Sequence, residues 1–314
     1  MLRQALSQSN VTQVGLVERV ISSSITSVAC LVFLLINAVI MFTLRRKRVF
    51  RETSRYILLF HLLLADTLLI ASSQVLYLLH TYRISLTYPQ CGVLVMLTIM
   101  TNDISPLVLV VMSLERYVAV CHPLRHASII TARNTGAAVL SVWILSLLQV
   151  VTLVLVLLRF PFDQLETLKM PKQCSSDEIF LLPVLYHCRT AFTALLFTFV
   201  CLLVVCSYIG VVVAARSASR SQRDKESARK AQKTLLLHLL QLGLILLSCN
   251  HFAVLVFFYS AFPRMIFLRI QAFLYVCFFF LPRWMASLIY GLRDRSIRVV
   301  LTANLFCVRT ENTF

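Results

Sequence analysis

The sequence predicts an all-α membrane protein whose fold is a seven-transmembrane helix bundle. Of its 314 residues, 59% are hydrophobic, compared with about 45–50% in a typical soluble domain. Seven apolar stretches follow one another along the chain, and each is near the ~20 residues that a helix needs to cross a bilayer. Basic residues are concentrated in alternate connections between these stretches, which is the pattern of a chain that crosses a membrane repeatedly.

The seven spans occupy nearly the whole chain and leave no room for a separate soluble domain. We number them 1 to 7 and place them at residues 20–44, 56–80, 91–121, 136–158, 187–214, 232–260 and 266–291. The predicted organisation is an extracellular tail at 1–19, the seven-helix domain at 20–291, and a cytoplasmic amphipathic helix and tail at 292–314. Because the first tail lacks the apolar core of a signal peptide, span 1 is expected to act as its own insertion signal.

The distribution of basic residues predicts the orientation of the bundle. Arginine and lysine are abundant after spans 1, 3, 5 and 7, most of all between residues 216 and 233. Short basic connections stay in the cytosol, so the N-terminus should lie outside and the C-terminus inside. The formal net charge of +17 is therefore attributed to topology and to attraction for anionic membrane lipid. Nucleic-acid binding is not expected.

Motifs for catalysis and cofactor binding are missing from the sequence. None of the six glycines is close enough to another to build a phosphate-binding loop. Neither His-Glu-x-x-His nor Gly-x-Ser-x-Gly occurs, so the zinc-protease and serine-hydrolase signatures are absent. We expect no enzymatic activity, no metal and no cofactor.

Span 3 carries a polar stripe that runs the depth of a bilayer. Cys91 and Arg116 are twenty-five residues apart, which corresponds to about 37 Å of helix. At about 100° per residue, one face collects six residues: Cys91, Thr98, Asn102, Leu109, Ser113 and Arg116. Charged groups such as Arg116 within membrane segments are functional hypotheses by default. The alternative is a polar seam between packed helices.

Asp103 lies about 120° away from this stripe. It is therefore poorly placed to serve as a direct counter-ion for an amine ligand. We expect it to bond to span 4 or span 5, because a carboxylate at that depth needs a partner.

Short motifs occur in all seven spans, and their order and spacing along the chain are informative when they are taken together. Residues 112–125 read Met-Ser-Leu-Glu-Arg-Tyr-Val-Ala-Val-Cys-His-Pro-Leu-Arg, and span 7 ends with Tyr290-Gly291-Leu292-Arg293-Asp294. The other positions, in spans 1, 2, 4, 5 and 6, are Asn37, Asp66, Trp143, Ser207-Tyr208, and Lys230 with Thr234 and His238. Together they resemble the rhodopsin-like (class A) receptors coupled to G proteins. Among these the chain is similar to the odorant receptors. Glu115 in place of Asp before the arginine, and the sequence of residues 48–56, resemble a fish-type subgroup more than the mammalian odorant receptors.

The chain also departs from the family pattern. Span 5 has no proline, and Leu-Ser-Cys-Asn-His at 247–251 replaces the Cys-Trp-x-Pro of many relatives. The expected Asn-Pro-x-x-Tyr of span 7 becomes Ala-Ser-Leu-Ile-Tyr at 286–290, and Pro282 upstream is expected to supply the kink instead. A sodium site shared by Asp66 and span 7 is therefore not expected.

The resemblance implies a chemosensory receptor at the plasma membrane. A small-molecule odorant would bind within the helix bundle, and a heterotrimeric G protein would bind at its cytosolic end. The residues that the resemblance assigns to the switch are Glu115, Arg116, Tyr117, Tyr208, Lys230, His238 and Tyr290, with Glu115 restraining Arg116 at rest. Candidate ligand contacts are Thr98, Asn102, Phe192, Cys249, Asn250, His251 and Tyr275. Polar residues expected to have structural roles are Asn37, Asp66, Asp103 and Trp143.

Three modifications are expected as well. In the family, the cysteine at the start of span 3 pairs with one in the following outer loop, so Cys91 is expected to bond Cys174, with Cys188 as the competing partner. The sequon at Asn10 would lie outside the cell, where it can be glycosylated. Cys307 is a palmitoylation candidate, the alternative being a free thiol.

Other functional classes fit less well. A transporter would be expected to show two related halves with helix-breaking residues in both, and no such repeat is evident. No lysine follows Lys233, which excludes a Schiff base with retinal in span 7. A class A receptor for a lipid, amine or peptide is the main alternative to an odorant receptor.

Overall fold

The computed structural model describes residues 2–159, 183–217 and 257–285, together with Met170, Cys174, Ile179 and part of the segment 229–248. Throughout this part of the chain, the regular secondary structure is helical and no β-strand occurs. The predicted all-α class is therefore confirmed.

The helices agree with the predicted spans to within a few residues at most ends. Spans 1 to 5 correspond to the helices Leu2–Arg46, Ser54–Thr81, Tyr88–Cys121, Ala132–Leu157 and Pro183–Ser217. The first helix begins well before span 1, so the predicted tail is itself helical from Leu2. Two short helices, Arg48–Glu52 and Pro123–Ile129, lie in the connections after spans 1 and 3.

Span 7 begins as the helix Arg264–Tyr275, continues as a π-helical segment, Val276–Phe280, and is helical to residue 285. Residues 286–291 of the predicted span lie outside the described residues. Span 6 is described only in part, including a helical stretch at 257–261.

Five of these helices are long and apolar enough to cross a membrane: Leu16–Arg46, Ser54–Thr81, Tyr88–Cys121, Ala132–Leu157 and Val184–Ala214. A shorter apolar helix covers Ile270–Met285. Many large apolar side chains on these helices face outward, among them Leu35, Leu155 and Leu202. An apolar surface of this extent would be costly in water, whereas lipid solvates it. The chain is therefore a multi-pass membrane protein.

Span 3 is the central helix of the bundle. Its side chains are buried along most of its length, and it packs against spans 2, 4 and 5. The largest core cluster joins these helices through residues such as Leu62, Val108, Leu109 and Val200. A second cluster surrounds Cys91 at one end of span 3, and a third joins spans 1, 2 and 7 around Phe280.

The start of span 3 is fixed by its own residues and by a disulfide. Thr87 and Gln90 form a capping box, which satisfies backbone N–H groups that have no partner inside the helix. Cys91 is bonded to Cys174, and nearby the Met170 N–H donates to the Leu86 carbonyl at 3.0 Å. Cys188 is exposed and is not in a disulfide. The expected pairing with Cys174 is therefore confirmed over its competitor.

At the other end of span 3, Tyr117 packs against Gly210 of span 5. A Cβ atom added to Gly210 would overlap the Tyr117 ring. The Tyr117 ring also lies edge-to-face with His122, with centroids 5.9 Å apart. Small residues allow membrane helices to approach closely, so Gly210 sets the separation of spans 3 and 5 at this end of the bundle.

Loss of the disulfide should destabilise the bundle. The bond closes a separation of 83 residues, and a typical native disulfide contributes about 2–4 kcal/mol. We expect Cys91→Ser and Cys174→Ser to lower the melting temperature of the purified protein equally, and the double variant to be no worse than either. Cys188→Ser is the matched control and should behave as wild type. Additive losses in the double variant would contradict a direct bond.

The contact between Gly210 and Tyr117 predicts an asymmetric response to alanine. Alanine is the better helix former by about 1 kcal/mol, but at Gly210 the added methyl must displace an aromatic ring. A Cβ at Gly92 of span 3 would meet nothing within 4 Å. We expect Gly210→Ala to be less stable than Gly92→Ala by about 1–3 kcal/mol, measured by thermal unfolding in detergent. Equal stabilities would show that the ring moves aside freely.

Candidate functional site

A buried ion pair lies in the interior of the bundle. Asp66, in the middle of span 2, and Arg283, in span 7, are both fully buried. The Arg283 guanidinium donates a hydrogen bond to Asp66 Oδ1 at 2.5 Å. Ser105 of span 3 donates to the same oxygen at 2.7 Å. Three helices thus meet at one carboxylate.

The guanidinium has further contacts in span 3. Its Nη2 atom donates to Asn102 Oδ1 at 3.1 Å, and its Nη1 atom is 3.5 Å from Ser105 Oγ. It also lies over the Phe279 ring, 5.7 Å from the centroid. The two charges cancel, and hydrogen bonds satisfy Asp66 Oδ1 and both terminal nitrogens of Arg283, which favours a buried ion pair. Asp66 Oδ2 has no hydrogen-bond partner among the described residues. Removing one partner of such a pair typically costs about 3–5 kcal/mol.

The backbone of span 7 explains how Arg283 reaches this position. Immediately before it, the Leu281 N–H bonds to the Val276 carbonyl five residues back, and this π-type turn holds one residue more than a normal turn. Each additional residue rotates the following face by about 100°. Pro282 has no N–H to donate, so the regular ladder is interrupted at the same place. The π segment and Pro282 together set the direction in which Arg283 points.

The candidate ligand residues within the described chain lie in different surroundings. The Thr98 hydroxyl of span 3 is hydrogen-bonded to Ser72 of span 2, with the two oxygens 3.1 Å apart. Asn102, one turn further along, accepts from Arg283. Phe192 of span 5 packs against the central core cluster.

Tyr275 of span 7 is buried and faces spans 1 and 2. Its ring is stacked on Tyr77, with centroids 5.1 Å apart, and on Phe279 at 5.2 Å. It belongs to the cluster that joins spans 1, 2 and 7, whereas Phe192 belongs to the surroundings of spans 3 and 5. The other three candidates, Cys249, Asn250 and His251, lie outside the described residues.

Glu115 and Arg116 form an ion pair at the end of span 3 opposite Cys91. Arg116 Nη2 is 3.5 Å from Glu115 Oε2, and the Glu115 side chain is the more buried of the two. Within the part of the chain that the structure describes, that Glu115 oxygen has no hydrogen-bond partner, so the contact is electrostatic. Tyr117 and Tyr208 are both half-buried. Lys230, His238 and Tyr290 lie outside the described residues, as do the side chain of Asn10 and Cys307.

Asp103 is buried on a different face of span 3 from the stripe. The positive charge that acts on it is Arg189 of span 5, and Gln149 of span 4 is also in its neighbourhood. This arrangement is separate from the Asp66–Arg283 pair. Asp103 and Glu115, the two acidic residues of span 3, thus each have an arginine nearby.

The other polar residues of the bundle make local contacts. Asn37 of span 1 donates to Thr67 of span 2 at 3.0 Å. Trp143 of span 4 lies edge-to-face with His61 of span 2, with centroids 6.3 Å apart, and packs against the central core. These contacts join spans 1, 2 and 4 in pairs.

Arg283 was not among the functional residues predicted from the sequence, although a signal for it was present. An arginine within an apolar run long enough to span a membrane requires a partner, and Arg283 lies within predicted span 7 at 266–291. Ser105 gave no signal of its own, because serine is common in membrane helices. Gly210 could not be distinguished from the other glycines until its neighbour Tyr117 was known.

Comparison with known proteins identifies the family. The family described as 7 transmembrane receptor (rhodopsin family) matches residues 36–291. The chain is 32% identical over 278 residues to Odorant receptor 131-2 of Danio rerio, covering 88% of this chain and 83% of the relative.

Human relatives match shorter regions. The chain is 27% identical over 183 residues to Putative olfactory receptor 1F12P of Homo sapiens, covering 54% of this chain and 52% of the relative. It is also 27% identical over 175 residues to Olfactory receptor 1J1 of Homo sapiens, covering 52% and 53%. The resemblance seen in the motifs is confirmed. The chain therefore belongs to the rhodopsin family of seven-transmembrane receptors, and within it to the odorant receptors.

Proposed function

We propose that this receptor binds a small odorant within the helix bundle and activates a heterotrimeric G protein from its cytosolic end. The observation that carries the proposal is the likeness to a fish odorant receptor over most of both chains. The proposal is supported by the Glu115–Arg116 ion pair. Both residues belong to the motif at 112–125 that resembles the family, close to the end of span 3. The receptor would act at the plasma membrane, with membrane lipid as its solvent.

The proposed topology places the tail at 1–19 outside and the segment 292–314 inside. In that orientation the disulfide between Cys91 and Cys174 lies at the outer mouth of the bundle, and Arg116 lies at the cytosolic face. The sequon at Asn10 would be available for glycosylation, and Cys307 for palmitoylation next to the inner leaflet. The basic region at 216–233 would adjoin the G-protein site.

The proposed switch is a change in the restraint on Arg116. In the resting state, Glu115 holds the guanidinium beside span 3. A ligand shifts this equilibrium only if it binds the active arrangement more tightly than the resting one. The side chains of Tyr117, Tyr208, Lys230, His238 and Tyr290 would then rearrange with Arg116, and the cleft between spans 3, 5 and 6 would admit the G-protein α subunit.

The proposed ligand site lies between the helices on the Cys91 side of the Asp66–Arg283 pair. Thr98 and Asn102 would supply polar contacts from span 3, with Phe192 and Tyr275 as apolar and aromatic walls. Cys249, Asn250 and His251 would contribute from span 6. Such sites are mostly apolar with a small number of polar anchors.

The role of Arg116 is tested by paired substitutions at the cytosolic end. Arg116→Ala should abolish odorant-dependent signalling in transfected cells, read with a cyclic-AMP reporter against an odour panel, while surface expression is retained. Arg133→Ala, an exposed arginine in the next connection, is the matched control and should signal normally. Glu115→Gln should raise basal signalling, because it removes the restraint on Arg116. Normal signalling by the Arg116 variant would refute its role.

The role of Thr98 is tested against another threonine of span 3. Thr98→Val removes the hydroxyl bonded to Ser72. Among the described residues, the Thr101 hydroxyl bonds only backbone carbonyls of its own helix. We expect Thr98→Val to shift the half-maximal concentration of active odorants by roughly 5- to 30-fold, equivalent to about 1–2 kcal/mol. Thr101→Val should leave that concentration unchanged. Equal effects of the two substitutions would indicate general helix packing and remove Thr98 from the site.

A further inference from the structure

Asp66 occupies the most demanding position in the bundle for a carboxylate. It lies twelve residues from Ser54 and fifteen from Thr81, the two ends of its helix, so both ends are roughly 18–22 Å away. A charged group at that depth is strongly disfavoured unless an opposite charge neutralises it. For an ionised Asp66, the positive charge comes either from a dissolved cation or from the protein.

The oxygens around Asp66 form a set that would suit a hard cation. Asp66 Oδ1, Ser105 Oγ and Asn102 Oδ1 converge from spans 2 and 3, and carboxylate, hydroxyl and amide oxygens are typical ligands of such ions. In this structure, the Arg283 guanidinium contacts all three of these oxygens. Both of its terminal nitrogens are used, so the same oxygens cannot at once surround a metal ion.

Electrostatics points in the same direction. The Arg283 guanidinium is fully buried and ion-paired, and an arginine stays protonated under all ordinary conditions. A second positive charge next to it would be repelled in a medium of low dielectric constant. The residues present therefore do not fit a sodium ion at Asp66, and the reason is the guanidinium of span 7, in addition to the loss of Asn-Pro at 286–290.

We propose that Arg283 is the resident cation of this receptor's interior: it takes the place of a dissolved monovalent metal ion at Asp66 and makes the resting receptor insensitive to sodium. A mobile ion can leave the site when the receptor changes shape, whereas Arg283 is covalently attached and moves only with span 7. The charge of Asp66 is thus matched at every sodium concentration. This role depends on neither the odorant nor the G protein.

The first test is a sodium titration of the purified full-length receptor. Thermal unfolding in detergent is compared in sodium chloride and in N-methyl-D-glucamine chloride at matched ionic strength, since the larger cation cannot enter a small interior site. We expect the melting temperature of the wild type to be the same in both salts. Stabilisation of the wild type by sodium, over that in the organic salt, would overturn the proposal.

The second test creates a place for sodium. Arg283→Ser removes the guanidinium and leaves the oxygens of Asp66, Ser105 and Asn102. Its melting temperature should be lower than that of the wild type in the organic salt, and sodium should restore a substantial part of the loss. Arg283→Lys keeps the charge and should remain insensitive to sodium. If sodium does not stabilise Arg283→Ser any more than the wild type, the oxygens around Asp66 do not bind sodium, and the proposal that Arg283 takes the place of a metal ion is wrong.

A double variant keeps the proposal testable if Arg283→Ser does not fold. Asp66→Asn combined with Arg283→Ser removes both charges, so no buried charge is left unmatched. We expect its surface expression to exceed that of either single variant and its stability to be indifferent to sodium. Expression no better than that of the single variants would overturn the charge-matching role. Because these measurements involve no signalling, they stand or fall separately from the proposed receptor activity.

Discussion

The low dielectric constant of the bilayer is the constraint on which the rest of this structure depends. Charged groups within a membrane-spanning helix are tolerated mainly where they pair with one another inside the protein, and the Asp66–Arg283 pair is the most demanding case. The hydrogen bonds that hold this pair require spans 2, 3 and 7 to meet at one point. The surrounding apolar core packs these helices tightly, and the outward leucines and valines then meet only lipid.

Span 3 organises the remaining features because it lies in the middle of the bundle. One end is held by the Cys91–Cys174 bond, the middle supplies Ser105 and Asn102 to the ion pair, and the other end carries Glu115 and Arg116. A movement of this helix would therefore change the contacts at the disulfide, at the buried ion pair and at Glu115 and Arg116. The close contact of Tyr117 with Gly210 extends this coupling to span 5.

The sequence was sufficient for the helices and for the disulfide, and insufficient for the interior. Hydropathy located spans 2 to 5 to within a few residues, because a run long enough to cross a membrane is a local property. The ion pair could not be located in this way. Asp66 and Arg283 are separated by 217 residues, and their meeting depends on a π-type turn that no local motif predicted. The stacking of Tyr275 on Tyr77 could not be predicted either, because the direction in which each side chain of span 7 points depends on tertiary packing.

The buried ion pair also limits how this sequence can evolve. A mutation that neutralises Asp66 or Arg283 alone leaves an unmatched charge in the interior, at a cost of about 3–5 kcal/mol. That is a large fraction of the stability of a typical protein. Lineages are therefore expected to keep both residues or to lose both, with few surviving intermediates. The two positions are therefore expected to be inherited together, even though 217 residues separate them in the sequence.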